Sequence, residues 1–326
     1  MRLRPATMAI ILLGLLSLAV LLGIRLGAVS LSNRQLWDLI TGADAKTSAI
    51  VFQLRLPRVA LGVLAGTSLA VSGVVWQGIL RNPLADPYLI GVSSGGALGA
   101  AVALFFGAQF PFFMSGVPFC ALLGALAAVA LVYALASAGG KLTVERLLLC
   151  GVAVSSLFSA LLSLLMVSNV DSLAGITFWM LGGLGGRSWS EIILGLPYFL
   201  VGFGLILAQM RSLNVLQLGD EAARGLGVQP TRTVRWLSLG ATLLTASTIA
   251  NCGMIGFVGL MTPHLVRRLV GSDLRIVLPL SALLGATLLV LADLASRTLF
   301  APTEIPVGIL TALLGAPFFL YLVYRR

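Results

Sequence analysis

The stretch 57–80, PRVALGVLAGTSLAVSGVVWQGIL, decides the fold class. Beyond Arg58 it carries no charge until Arg81 closes it. At about 1.5 Å per residue, such a run matches a hydrocarbon core of roughly 30 Å and reads as one membrane-spanning helix. Comparable charge-free runs extend from Tyr88 to Gly140, Leu147 to Val170, Ile192 to Met210 and Trp236 to Val266. The 326 residues are 59% hydrophobic and only 10% charged, against roughly 45–50% apolar usage in a soluble domain. The sequence therefore specifies an all-α integral membrane protein, one transmembrane domain over 1–326, and excludes a soluble globular fold.

About ten spans account for the apolar mass: 6–26, 57–80, 88–107, 114–136, 146–168, 191–209, 233–250, 253–270, 276–295 and 305–324. Pro5 to Ile24 reads as a first span, because no small-x-small cleavage site precedes Arg25. The run 236–266 is too long for one crossing, and Gly253, Gly256, Gly259 and Pro263 offer the break. Asp86-Pro87 is a helix start, with Asp as N-cap and Pro at the first position. Pro57 likewise reads as the start of the second span. The glycine-rich 171–187 suits a broken or re-entrant piece, and Gly62/Gly66 and Gly91/Gly95/Gly99 suit close helix packing.

The formal charge of +10 follows topology rather than nucleic-acid binding. With ten spans and a cytosolic N-terminus, 14 of the 21 Lys and Arg fall inside, and only Arg25, Arg34, Lys46, Arg55, Arg58, Arg187 and Arg297 fall outside. Both termini are then expected in the cytosol. The outer segment 27–56 contains Ser32 and Gln35, spaced as a capping box, before an apolar stripe of Leu36, Leu39 and Ile40. Inside, the longest hydrophilic insertion starts at Arg211, and its 219–227 portion suits a short helix with Asp220 and Glu221 at its start and Arg224 near its end.

Candidate chemistry is sparse. Gly91-Val-Ser-Ser-Gly95 has a nucleophile-elbow spacing but opens a membrane span, and the single histidine, His264, has no ligand or triad partner within helical reach. Cys120, Cys150 and Cys252 are far apart in apolar runs, so neither a disulfide framework nor a metal site is expected. No phosphate-binding loop is present: the glycine needed five residues before Gly140 is Leu135, and Leu142 follows Lys141. No catalytic residue and no cofactor is expected in this chain. Asp293 is an intramembrane carboxylate, which makes it either an ion pair with Arg297 at i+4 or a transport site. Arg55, Arg58 and Arg297 break the charge bias on one face, as headgroup-snorkelling residues or as a rim for an acidic partner.

Several motifs together resemble the permease family of bacterial ABC importers for iron–siderophore complexes, haem and cobalamin, the FecCD/BtuC type. They are RLPRVALGVLAGTSLAVSGVVWQGILRNPLADPYLIGVSSGGALGA (55–100), LLLCGVAVS (147–155), LGDEAARGLGV (218–228), GMIGFVGLMTPHLVRRLVG (253–271), LPLSALLGATLLVLADLASR (278–297) and EIPVGILTALLGAPFFLYLV (304–323). The resemblance implies the type II importer architecture in a bacterial inner membrane, with ten spans per subunit. Its implied partners are a second permease copy as a homodimer, two cytosolic ATPases that bind ATP and Mg, an outer substrate-binding protein, and lipid. It assigns Arg55, Arg58 and Arg297 to binding-protein docking. Gly219, Asp220, Glu221, Ala223, Arg224 and Gly227, within 211–232, correspond to ATPase coupling. Asn82, Leu84 and Thr143 correspond to the cytoplasmic gate, although Val144 and Glu145 depart from the small polar residues of that gate. The implied mechanism is alternating access along a largely apolar path. The rival reading is an ion-coupled secondary carrier that uses Asp293 or Asp171.

Overall fold

A computed structural model describes residues 4–27, 31–32, 34–35, 45–107, 116–138, 143–168 and 170–324. Among these every regular element is helical. The membrane-scale helices are α1 (Pro5–Arg25), α3 (Leu56–Ile79), α4 (Val92–Gly107), α5 (Val117–Ala138), α6 (Val144–Ser168), α8 (Trp189–Ala208), α11 (Pro230–Cys252), α12 (Val258–Val270), α13 (Leu274–Thr298) and α14 (Val307–Tyr324). Between them lie the shorter α2 (Ala45–Ala49), α7 (Val170–Met180), α9 (Met210–Leu216) and α10 (Asp220–Gly225). The ten larger helices match the ten expected spans in order. Among the described residues, six helices are long and apolar enough to cross a membrane by length and composition alone, the second of them running continuously from Thr47 to Ile79. The other four are shorter or, in α11, rich in hydroxyls; α4, α11 and α12 lie largely inside the bundle, whereas α14 is mostly exposed.

One boundary differs from the sequence expectation. Pro57 does not begin its helix: α2 leads through a π-helical stretch, Ile50–Arg55, straight into α3. Proline lacks the N–H for an α-helical bond, and its ring crowds the carbonyl four residues back. The wider π turn accommodates this, with the Leu56 N–H bonding to Val51 O, five residues back. The described residues 45–56 are thus an extension of the second span. Farther upstream the capping box forms: the Ser32 N–H donates to Gln35 Oε1 at 2.9 Å and the Gln35 N–H to Ser32 Oγ at 3.3 Å. Leu36, Leu39 and Ile40 lie outside the described residues, as do Lys141 and Leu142.

α3 is the central post of the bundle, buried along nearly its whole length. Its glycines explain how its neighbours come so close. A Cβ at Gly66 would lie 2.3 Å from Gly285 O on α13, and one at Gly73 only 1.8 Å from Gly259 O on α12. Where helix–helix association has no hydrophobic drive, this backbone-to-backbone approach supplies the packing energy. Gly95 and Gly99 of the tandem motif do the same against Gly124 and Cys120 on α5. Gly91 has a different task. Asp86 caps a 3₁₀ turn, Pro87–Ile90, through the Tyr88 N–H at 2.8 Å, and Gly91 ends that turn at φ 82° before α4 begins.

The break expected at Gly253 is real, since α11 stops at Cys252 and Gly253 takes φ 72°. Irregular backbone at membrane depth needs internal partners. Tyr88 supplies them: its hydroxyl donates to Ile255 O and accepts from Ile255 N, both at 2.9 Å. The 171–187 segment is also broken as expected, α7 giving way to a turn with positive φ at Gly182 and Gly186. With alternating crossings, the ends of α1 and α13 and the starts of α3 and α14 gather at one end, and α9 and α10 sit at the other.

Candidate functional site

The singular feature of the first end is a charged cluster buried among apolar helices. Arg58, one turn into α3, donates from Nε to both oxygens of Asp293 on α13, at 3.0 and 3.1 Å. Its Nη1 donates to both oxygens of Glu304, at 3.1 and 2.9 Å, in the loop before α14. Arg297 lies one turn beyond Asp293, its Nε 3.6 Å from Asp293 Oδ2, so the expected i, i+4 pair is present. Asp293 is therefore flanked by two guanidiniums and only 3% exposed, which is how a carboxylate persists at this depth.

The remaining guanidinium contacts reach α1. Arg297 Nη2 donates to Gly23 O at 2.7 Å, and Arg55 Nη1 donates to Ile24 O at 2.7 Å and Arg25 O at 2.8 Å. These carbonyls belong to the last turn of α1, where a helix has acceptors without helical donors and a negative dipole end. Arg55 and Arg297 thus cap α1 from neighbouring elements. The structure brings all three sequence-predicted arginines together, but it turns Arg55 (7% exposed) and Arg297 (4% exposed) inward. Glu304, which sequence reading passed over, is the exposed member at 43%. Its only signal in the sequence was a lone acid beside an expected outer helix start.

At the opposite end, the 219–227 segment folds as expected. Gly219 and Gly227 take φ of 106° and 80° on either side of α10, and Ala223 is buried while Glu221, Arg224 and the flanking Leu218 and Leu226 are exposed. Arg81, itself at φ 48°, forms an ion pair with Asp220 and donates from Nε to Leu216 O at 3.0 Å. This fastens the end of α3 to the short helices. Asn82 Oδ1 accepts the Leu84 N–H at 2.9 Å in the turn that follows, and Thr143 Oγ1 accepts the Arg146 N–H at 3.3 Å, capping α6. Thr143 shares a 150 Å³ cavity with Arg81 and Asp220, whereas Asn82 and Leu84 are not among the residues lining it.

Between the two ends, α4 and α6 enclose a 570 Å³ cavity lined by Asp86, Tyr88, Ser93, Ser155, Ser159 and Met254, among others. Its wall is largely apolar, Leu89, Val152, Leu162 and Phe257 included, with a few serine hydroxyls set into it. Ser93-Ser94, Ser155-Ser156 and Ser159 lie in helices that read as uniformly hydrophobic, so composition concealed them. The Gly91–Gly95 motif packs helices here, with Ser94 Oγ donating to Gly91 O at 3.0 Å, while His264 lies against the Phe318 ring on another face. Among the described residues no group of three or more His, Cys, Asp or Glu gathers as a metal site.

A polytopic bundle with a charged junction at one end and a helical insertion fastened to the other has the layout of a membrane permease. The FecCD transport family matches residues 15–325, and the chain belongs to that family. It is 42% identical to the hemin transport system permease protein HmuU of Yersinia pestis, covering 100% of this chain and 97% of that protein. It is 45% identical to the cobalamin import system permease protein BtuC of Halobacterium salinarum, covering 87% of this chain and 76% of that one. A solved ABC transporter, assigned to the metal-chelate type and in an inward-facing conformation, superimposes with a TM-score of 0.87 at 37% identity, covering 99% of this chain and 100% of that one.

Proposed function

We propose that this chain is the transmembrane permease subunit of an ATP-driven ABC importer that carries a metal chelate or corrinoid (ferric siderophore, haem or cobalamin) into the cytoplasm. The observation that carries the reading is the FecCD match across residues 15–325, with no phosphate-binding loop in the sequence to make the chain its own ATPase. The working unit is two permease copies in a bacterial inner membrane, both termini cytosolic, with two ATPases that bind ATP and Mg and one outer binding protein. The arginine cluster then faces outward as the docking rim, and α9–α10 face inward as the coupling element. Leu218 and Leu226, 67% and 64% exposed, supply apolar contact there beside the charges of Glu221 and Arg224. The Asn82, Leu84 and Thr143 turns narrow the inner mouth, and the largely apolar cavity at α4 and α6 forms part of the path between.

Alternating access follows from this layout. Closure of the ATPases moves α10, and Arg81 passes that movement to α3, the helix that also carries Arg58. An ion-coupled carrier would need Asp293 free to take a cation, and Arg58 and Arg297 already engage it. Relatives of 42% and 45% identity are named for different cargoes, so identity alone does not choose among them. The test is reconstitution with the ATPase and the binding protein, offering labelled ferric siderophore, haem and cobalamin in turn. One of them should accumulate only with ATP. Uptake driven by a proton gradient without ATP or ATPase would overturn the reading.

A further inference from the structure

At the end of the bundle opposite the charged junction, a second group of arginines surrounds open space. Arg224 of α10 and Arg232 and Arg235 of α11 line a 580 Å³ cavity together with Gln229 and Trp236. No acid stands in the first turn of α11, and Asp220, at the start of α10, is paired with Arg81. Among the described residues none of these three guanidiniums has an ion-pair or hydrogen-bond partner. Three like charges around one cavity repel one another, and an anion between them removes that cost. The helix that carries two of them is also unusual in what it exposes. α11 is buried along most of its length, yet Trp236 and Leu239, three residues apart and so on one face, are 38% and 41% exposed. Arg232, one turn before Trp236, lies on that face too. Toward the bundle interior the face passes from guanidinium to indole to leucine.

We propose that this cavity is a binding site for an anionic phospholipid of the inner leaflet, its phosphate held by Arg224, Arg232 and Arg235 and its acyl chains lying along Trp236 and Leu239. Arginine suits the phosphate, because its planar fork pairs with two oxygens at once. Tryptophan suits the level just beneath, where an amphipathic ring sits between headgroups and hydrocarbon. The order of residues along α11 is what selects a lipid. A soluble anion or a cytosolic acidic side chain would use the arginines and leave Trp236 and Leu239 without a function, whereas a phospholipid covers both. Basic pockets between helices on the cytoplasmic side are suited to such headgroups. Because Arg224 belongs to α10 and the other two to α11, one bound phosphate also ties the short helix to the bundle. The placement in the inner leaflet rests on the orientation proposed above.

The test offers phosphatidylglycerol, cardiolipin or phosphatidylcholine to the full-length permease in detergent and counts retained lipid by native mass spectrometry. Wild type should retain the two anionic lipids in preference to phosphatidylcholine. Arg232→Gln combined with Arg235→Gln should lower anionic-lipid retention about ten-fold or more and leave phosphatidylcholine unchanged. The matching pair of lysine substitutions, which keeps the charge, should restore most of it. Trp236→Ser should weaken retention while all three cations remain. Wild-type retention in the double glutamine variant overturns the proposal, as does an equal loss of phosphatidylcholine. Glycerol 3-phosphate offers the phosphate without acyl chains, so displacement of the lipid by it at millimolar concentration would assign the site to a free phosphate ester and overturn the lipid reading. Unchanged lipid retention with failed ATPase assembly in the glutamine variant would give the cavity to the ATPase instead. Neither cargo nor ATP enters the measurement, so failure here leaves the import test standing, and failure of import leaves the lipid count standing.

Discussion

Asp293 shows how much one side chain holds. It accepts from Arg58 across 235 residues of sequence and pairs with Arg297 one turn away, tying α3 to α13. Through Arg297 the tie extends to α1. Removing one member of a buried ion cluster leaves the others unpaired, at a cost of about 3–5 kcal/mol. Asp293→Ala is therefore expected to lower the thermal unfolding midpoint of the detergent-solubilised permease markedly, and Asp293→Asn less so because it still accepts hydrogen bonds. A midpoint unchanged in Asp293→Ala would mean that the cluster is not structural. The sequence made the Arg297 pair legible through its spacing, but no periodicity connects residues 58, 293 and 304. Nor does it distinguish an arginine facing solvent from one capping a neighbouring helix, so the contacts of Arg55 and Arg297 with α1 were not legible in it.

Among the elements, helix positions were the most legible feature. Charge-free runs give the spans directly, and Gly253 gave the break between α11 and α12. The join of α2 to α3 was not legible: proline is a good first residue of a helix, and nothing in 50–55 announces a π turn that lets the helix start earlier. Glycine spacing indicated close packing without naming the partners. Gly73 now has one, Gly259, with no space for a methyl group between α3 and α12. Gly73→Ala must push these helices apart, and Gly66→Ala acts likewise on α13. Gly73→Ala is expected to destabilise by about 1–3 kcal/mol, the usual range for overpacking, and to lower the yield of folded protein. Gly14, where a Cβ would meet nothing within 4 Å, is the control expected to tolerate alanine. Equal behaviour of the two variants in a thermal-shift assay would contradict the packing account.

For the whole molecule, the decisive question is how movement at one end reaches the other. α3 runs between them, with Arg58 at its start and Arg81 just past its end. The Arg81–Asp220 pair is 43% and 56% exposed, so it contributes no more than about 1 kcal/mol to stability. Its proposed part is mechanical. Arg81→Ala should leave folding and ATPase assembly intact while lowering the cargo imported per ATP hydrolysed by several-fold, and Asp220→Ala should do the same. Uptake and hydrolysis that stay in proportion in both variants would remove this link.

The arginine cluster also carries a consequence for temperature. Hydration of charged groups becomes less favourable on warming, so the penalty for keeping Asp293 and its guanidiniums out of water shrinks. The glycine contacts gain nothing comparable, because close backbone packing has no hydration term of that kind to lose. In a warm membrane, the corner where α1, α3 and α13 meet keeps its grip while the rest of the bundle loosens. The permease then flexes from a fixed corner at its charged end.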